Sequence, residues 1–163
     1  MKLYHGSIVE VRKPSLRYGR ERTDFGKGFY TTTIAEQAEH WATIKKERAK
    51  ATRAVVSVYE IDDTILVDPS LHIREFHGVD EAWLNFVVEC RKENAVAHDF
   101  DLVFGPVAND NVFLTVNLYE SGALDTQAAI AQLRAYKTYD QLSFHTERVL
   151  ASLRFVESYE VEG

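Results

Sequence analysis

Apolar and polar positions alternate in several short stretches, and this alternation predicts β-strands spread along the whole chain. The strands are predicted at residues 3–5, 29–32, 54–61, 102–106, 141–145 and 154–161. A glycine-rich turn at 26–28 leads into the second of them, and residues 62–79 show no regular pattern. The chain is therefore expected to build at least one sheet from strands that are distant in sequence.

Helices are predicted where a hydroxyl or carboxylate side chain precedes an apolar stripe with helical spacing. Four such starts are present, at Thr33, Asp80, Asp125 and Thr146. Glu36 completes a capping box at the first start, and the helix after Asp80 is predicted to extend to about Ala97. Residues 112–119 fit a helix or a strand equally well. With no linker or repeat, the pattern predicts one α+β domain over residues 1–163.

Composition narrows the class of protein without naming a function. The chain has 163 residues, of which 45% are hydrophobic and 27% charged, as in ordinary globular proteins. Its longest apolar runs are far shorter than the roughly 20 residues of a membrane span, and no signal peptide is recognised, so no membrane partner is expected. The single Cys90 excludes an internal disulfide, and together these features predict a cytoplasmic protein.

Charge argues against general affinity for nucleic acid, because 25 acidic and 19 basic side chains give a net charge of −6. The segment 8–24 is nevertheless predicted to be a long loop, of a length that favours a functional role. Six cations lie in this loop and the turn after it, namely Arg12, Lys13, Arg17, Arg20, Arg22 and Lys27. A local anion-binding role for this loop and simple exposure to solvent both remain open.

Three segments carry candidate chemistry: 3–7 (Leu-Tyr-His-Gly-Ser), 24–30 (Asp-Phe-Gly-Lys-Gly-Phe-Tyr) and 139–146 (Tyr-Asp-Gln-Leu-Ser-Phe-His-Thr). Each is weak alone, since a strand histidine or a tyrosine after glycines is usually structural. The second segment lacks the glycine spacing of a dinucleotide-binding turn and the Gly-Lys-Ser/Thr ending of a phosphate-binding loop. No metal site is expected, because no cluster has ligand spacing.

Together, and in this order, these segments resemble ADP-ribosyltransferases of the diphtheria-toxin and PARP type. In that superfamily a His-Gly pair follows the first strand, a Phe-Gly-Lys-Gly-x-Tyr run follows a loop, and a third residue, often glutamate, opens a late strand. The chain is most similar to a bacterial group of small proteins catalogued as domain of unknown function 3990. The resemblance implies an α+β ADP-ribosyltransferase-like fold, with two packed sheets of short strands in a split β-sandwich and flanking helices. It also implies NAD⁺ as co-substrate.

The resemblance assigns roles residue by residue. His5 would bind a ribose hydroxyl, the backbone of Gly6 would pair with the nicotinamide carboxamide, and Tyr30 would stack on the nicotinamide ring. Trp41 occupies the position of a second aromatic residue that covers the other face of that ring. Gly28 belongs to the same turn, and Arg20 and Arg22 would meet the pyrophosphate, with Asp24 pairing with one of them.

Two positions depart from the superfamily pattern. Ala38 stands where a serine binds the carboxamide in the PARP branch, and Ser7 or Thr31 is the expected substitute. Gln141 stands where a glutamate is common; it can make hydrogen bonds but carries no charge and takes up no proton. Glu147 and His145 are therefore candidate bases, the latter because alternation places it on the same strand face as Gln141.

These features predict a mono-ADP-ribosyltransferase with catalytic residues His5, Tyr30 and Gln141 that transfers ADP-ribose to a macromolecular acceptor, either protein or nucleic acid. The small size and the style of the family suggest the toxin of a toxin–antitoxin or phage-defence system, held inactive by a small antitoxin-like protein. Two alternatives remain open at this stage. One is an NAD⁺ glycohydrolase, and the other is a catalytically degenerate module that binds NAD⁺, ADP-ribose or a protein.

Overall fold

Seven strands and five α-helices make up the chain in a computed structural model that describes residues 1–19, 23–92, 95, 97–108, 110–133 and 139–162. The strands are β1 (Lys2–Ser7), β2 (Phe29–Thr31), β3 (Val55–Glu60), β4 (Ile73–Glu75), β5 (Leu102–Pro106), β6 (Asp140–Phe144) and β7 (Arg154–Glu160). The helices are α1 (Ala35–Ala49), α2 (Glu81–Arg91), α3 (Asp110–Glu120), α4 (Thr126–Leu133) and α5 (Glu147–Leu150).

The strands form two sheets that are mostly antiparallel. One sheet has the order β1-β3-β7 and the other has the order β2-β6-β5-β4, in which only β4 and β5 run parallel. The two sheets are joined at a bridge, where Tyr4 and Thr32 exchange backbone hydrogen bonds of 2.8 and 2.9 Å. Beyond this bridge β1 and β2 separate, and the gap between them becomes the site described below.

Three apolar clusters hold these layers together. The largest side chains between the sheets are Leu3, Phe29, Tyr59, Leu102 and Phe144. On the outer face of the four-stranded sheet, helices α2, α3 and α4 pack around the fully buried Trp83. On the outer face of the three-stranded sheet, α1 packs through Ala38 and Ala42 against β3. No helix in the described ranges is long and apolar enough to cross a membrane.

The predicted α+β class, with two packed sheets and flanking helices, is confirmed, and three of the four predicted helix starts are correct. The carboxylates of Asp80 and Asp125 and the hydroxyl of Thr146 accept hydrogen bonds from backbone N–H groups of the helices they precede. Each of these caps is made within three residues along the chain, which is why sequence alone reveals it. Residues 112–119, left open by the pattern, belong to helix α3.

Other boundaries were wrong. Thr33 does not cap α1, whose N-cap is Ile34; the Thr33 hydroxyl instead donates to the carboxylate of Asp140. Helix α2 ends at Arg91 instead of near Ala97, because Lys92 adopts an extended conformation. Strand β4 was not predicted, and its three residues are too few to show a strand period.

Candidate functional site

A cleft of about 700 Å³ lies where the two sheets separate. Its walls come from β1, the loop after β1, the turn before β2, one face of α1, the end of α2, the residues after β5 and the start of β6. The loop is fixed to β3 because the Val11 N–H donates to Ser57 Oγ at 2.9 Å and the Tyr59 hydroxyl donates to the Val11 carbonyl. The described part of the segment predicted as a functional loop therefore forms one wall of the cleft.

The cleft brings together most of the residues singled out from the sequence. Six of them line it: His5, Ser7, Gly28, Tyr30, Trp41 and Gln141. Gly6 lies between His5 and Ser7 in the chain, and the side on which a Cβ atom would stand faces α1. Arg20 and Arg22 lie outside the described residues. The roles assigned to these side chains stay predictions, whereas their common location is a feature of the fold.

His5 is held as a neutral imidazole with one nitrogen fixed. Its Nδ1 lies 2.7 Å from the Tyr30 carbonyl, which only accepts, so Nδ1 carries the proton and Nε2 is left as an acceptor. Burial, and secondly the ammonium group of Lys45, lower the pKa of His5 to about 3. The ring also stacks on Phe29 with centroids 4.2 Å apart. His5 can therefore receive a hydrogen bond from a ligand hydroxyl.

The absence of a side chain at Gly6 is required by helix α1. A Cβ atom at this position would lie 2.0 Å from the Ala38 carbonyl oxygen and 2.7 Å from the Ala42 nitrogen. Because Tyr4 uses its backbone groups toward β2, alternation along β1 points the N–H and C=O of Gly6 toward the same gap. The Gly6 carbonyl accepts a 2.6 Å hydrogen bond from Lys45 Nζ.

Tyr30 presents its ring to the cleft while its hydroxyl is used inside the turn before β2. The hydroxyl accepts from the Phe25 N–H at 3.0 Å and lies within hydrogen-bond distance of Thr23 and of the Gly26 carbonyl. Burial raises the pKa of Tyr30 far above its usual range. The residue therefore stays a neutral phenol and offers an aromatic surface instead of a base.

Asp24 is a buried carboxylate at the back of the cleft with partners from distant parts of the chain. In the described residues Asp24 pairs with Arg91 at the end of α2. The other carboxylate oxygen accepts from the Ala108 N–H at 2.8 Å and from Gln141 Nε2 at 2.9 Å. No local pattern signals an ion pair between residues this far apart. The pairing expected with Arg20 or Arg22 falls on residues outside the described ones and stays a prediction.

Helix α1 contributes Trp41, which was predicted for the site, and two cations, Lys45 and Arg48, which were not. Trp41, Lys45 and Arg48 follow one another at helical spacing and line the same wall. Among the described lining residues, five are cations (Arg12, Lys13, Lys45, Arg48 and Arg91) and two are carboxylates (Glu10 and Asp24). The cleft is thus basic within an acidic protein, and it favours an anionic ligand.

The candidate bases and substitutes named from the sequence fall in different places. His145 does not line the cleft; its nitrogens lie 2.8 Å from the Lys27 carbonyl and 2.7 Å from Ser143 Oγ, behind the glycine turn. Glu147 lies in the first turn of α5 and Thr31 is fully buried, so neither lines the cleft. Of the substitutes proposed for the missing serine, Ser7 alone lies at the cleft.

The described residues contain no group of three His, Cys, Asp or Glu side chains that could hold a metal ion. The fold and the site together define an α+β protein in which two packed sheets separate around a basic cleft with aromatic walls. The chain belongs to the family described as "protein of unknown function (DUF3990)", whose model matches residues 1–155, as the sequence resemblance predicted. No curated protein and no solved structure matches the chain significantly.

Proposed function

We propose that the protein has an ADP-ribosyltransferase-type fold, binds NAD⁺ in the cleft and transfers the ADP-ribose part of NAD⁺ to a macromolecular acceptor. The observation that carries the proposal is the convergence of His5, Tyr30, Trp41 and Gln141 on one cleft. In sequence these residues are scattered over four elements, and the resemblance is the reason for considering them together. Aromatic and hydrogen-bonding side chains that line one cleft support the proposal.

The reaction breaks the bond between C1′ of the ribose and the nicotinamide nitrogen. The bonding electrons leave with neutral nicotinamide, C1′ acquires oxocarbenium character, and the acceptor attacks C1′ and loses a proton. Such a site needs a flat aromatic surface for nicotinamide and acceptors for ribose hydroxyls. Tyr30 and Trp41 supply aromatic rings, and neutral His5 supplies an acceptor at Nε2.

The charge of the cleft supports a dinucleotide ligand. NAD⁺ carries two phosphates, and the cations of α1 lie on the same wall as Trp41. Arginine and lysine bind phosphate oxygens well, and Lys45 and Arg48 are the described candidates for the pyrophosphate. Arg20 and Arg22, predicted for this role, lie outside the described residues.

A second candidate function is binding of NAD⁺ or ADP-ribose without turnover, and the uncharged amide of Gln141 favours it. Hydrolysis of NAD⁺ by water is the third outcome of the same chemistry. The further proposal that the protein acts in the cytoplasm as a toxin restrained by a small antitoxin-like protein rests on the resemblance alone.

The test measures nicotinamide release from NAD⁺ and transfer of ³²P label into host lysate, with and without nuclease. The variants are His5→Ala and Tyr30→Ala, and the matched controls outside the cleft are His72→Ala and Tyr119→Ala. We expect each cleft variant to lower kcat/KM by about tenfold or more, the cost of roughly one lost ligand contact, and each control to leave it unchanged.

The outcomes separate the candidates. Label on macromolecules supports transfer, and its loss on nuclease treatment identifies nucleic acid as the acceptor. Nicotinamide release without label identifies a glycohydrolase. NAD⁺ binding in calorimetry without release identifies a binding module, and absence of binding rejects the proposal.

A further inference from the structure

The Asp24 carboxylate is surrounded by donors from three distant parts of the chain. Arg91 donates to Oδ1 through Nε at 2.9 Å and through Nη2, while the Ala108 N–H and Gln141 Nε2 donate to Oδ2. Asp24 is only 6% exposed and Gln141 only 3%. A charge this deeply buried is tolerated because it is paired and fully hydrogen-bonded.

This environment fixes which way the Gln141 amide points. Its nitrogen faces two acceptors, Asp24 Oδ2 at 2.9 Å and the Pro106 carbonyl at 3.4 Å. Turning the amide over would place its oxygen against these two oxygens, which repel it. Among the described residues, none donates to Oε1 of Gln141, and the residue lines the cleft.

We propose that Asp24 is a positioning residue that directs the Gln141 carbonyl oxygen into the cleft and supplies, through one hydrogen bond, the negative charge that glutamine lacks. This inference rests on the proposed function, because its target is the ribose hydroxyl of NAD⁺. The pair Asp24–Gln141 then offers a substrate what one glutamate would offer, an acceptor oxygen with a carboxylate charge close behind it.

The same geometry explains why glutamine suits position 141. A glutamate there would place a second carboxylate against Asp24, and two carboxylates at this distance retain a proton between them. In its protonated form that glutamate would imitate the glutamine by donating to Asp24. In its deprotonated form it would be repelled from Asp24.

The kinetic test compares Asp24→Asn, Gln141→Glu and the double variant for kcat and KM of nicotinamide release. We expect Asp24→Asn to lower kcat more than it raises KM. Gln141→Glu is expected to be active at low pH and to lose activity as pH rises through the raised pKa of the carboxylate pair, whereas the native protein shows no such step between about pH 6 and pH 9.

The double variant is the deciding case, because its asparagine at position 24 can donate to the charged glutamate at position 141 and the like-charge contact is gone. We expect its kcat to exceed that of Asp24→Asn by about tenfold, without the pH step of Gln141→Glu. A double variant no better than Asp24→Asn, or a Gln141→Glu variant with a native pH profile, overturns the inference while leaving the proposed function intact.

A measurement on the native protein does not depend on activity. The side-chain NH₂ resonances of Gln141, recognised by their loss in Gln141→Glu, are expected to exchange with water far more slowly than those of the exposed Gln127. Slow exchange supports the fixed amide even if NAD⁺ is not turned over, an outcome that rejects only the proposed reaction. Exchange as fast as that of Gln127 overturns the inference.

Discussion

Two described histidines, His5 and His145, are kept neutral by their surroundings, and their ring nitrogens make different contacts. His5 faces the cleft, where its pKa of about 3 leaves an acceptor nitrogen at any pH near neutrality. His145 lies behind the glycine turn, where burial lowers its pKa to about 4 and its nitrogens bond to Lys27 and Ser143. The first lines the cleft with an acceptor nitrogen, and the second bonds to the turn that precedes Tyr30.

His145 is one of two described histidines, with His5, whose lowered pKa makes the fold sensitive to acid. The unfolded chain takes up a proton on His145 near its usual pKa of 6.5, while the folded chain resists until about 4, so the free energy of unfolding is expected to fall as pH falls between these values. Urea unfolding at about pH 7 and pH 4.5 measures the loss, which should be smaller in His145→Gln. His72→Gln, at an exposed site, is the control. An equal acid loss in native protein and His145→Gln would contradict this assignment.

At the scale of elements, the close packing of α1 on β1 requires a glycine at position 6 and also forms one wall of the cleft. The helix lies so close to the strand that Gly6 has no room for a Cβ atom. The same close contact brings Lys45 within hydrogen-bond distance of the Gly6 carbonyl and places Trp41 at the cleft. Packing of this helix and composition of the site are therefore coupled.

The variant Gly6→Ala tests this coupling. Its methyl group would overlap helix backbone, which cannot rotate away, so we expect a loss of about 3 kcal/mol or more in the free energy of unfolding, above the usual cost of overpacking. Gly78→Ala is the matched control because nothing lies within 4 Å of its Cβ position. Urea unfolding of both variants gives the comparison, and equal stability of the two would show that α1 can move aside.

The elements differ in how far sequence could predict them. Asp80 and Thr146 cap helices through neighbours in the chain, so a local pattern was sufficient. Thr33 has the same local pattern, but its hydroxyl bonds to Asp140, 107 residues away. The glycine at position 6 was expected to admit a ligand, and its contact with α1 depends on a helix that the sequence does not place.

The candidate site shows the same division. The order of three short segments was enough to select His5, Tyr30 and Gln141. The reason is that the family resemblance relates these residues to one another although they are distant in sequence. It gave no indication of the pair between Asp24 and Arg91, which joins residues 67 apart. The two members of a buried ion pair stand at no characteristic spacing in the sequence, so only the folded structure reveals the pair.

For the whole molecule, the distribution of charge matters more than its sum. The net charge of −6 disfavours anionic partners at long range, yet the described cleft walls carry more cations than carboxylates. Attraction is therefore expected only for an anion small enough to enter. A dinucleotide satisfies this condition better than a bare nucleic-acid backbone.

Salt dependence tests this view of the molecule. Calorimetry at about 0.05 M and 0.5 M salt should show that ADP-ribose binds more weakly at high salt, whereas neutral nicotinamide binds equally at both. Arg48→Glu is expected to weaken ADP-ribose binding, while Arg53→Glu, an exposed residue that does not line the cleft, leaves it unchanged. Equal salt effects on both ligands would show that the cations do not contact the phosphates.

The convergence of Asp24, Arg91, Ala108 and Gln141 also has a consequence for how the protein is made. Synthesis proceeds from the N-terminus, so the hydrogen bond between Asp24 and Gln141 cannot form until the glutamine is added 117 residues later. Contacts of such long sequence separation form slowly, and β7 joins its sheet later still. A nascent chain would therefore pass through an interval in which the cleft is incomplete. Whatever the cleft binds, the complete site is therefore expected to form only after almost the whole chain has been made.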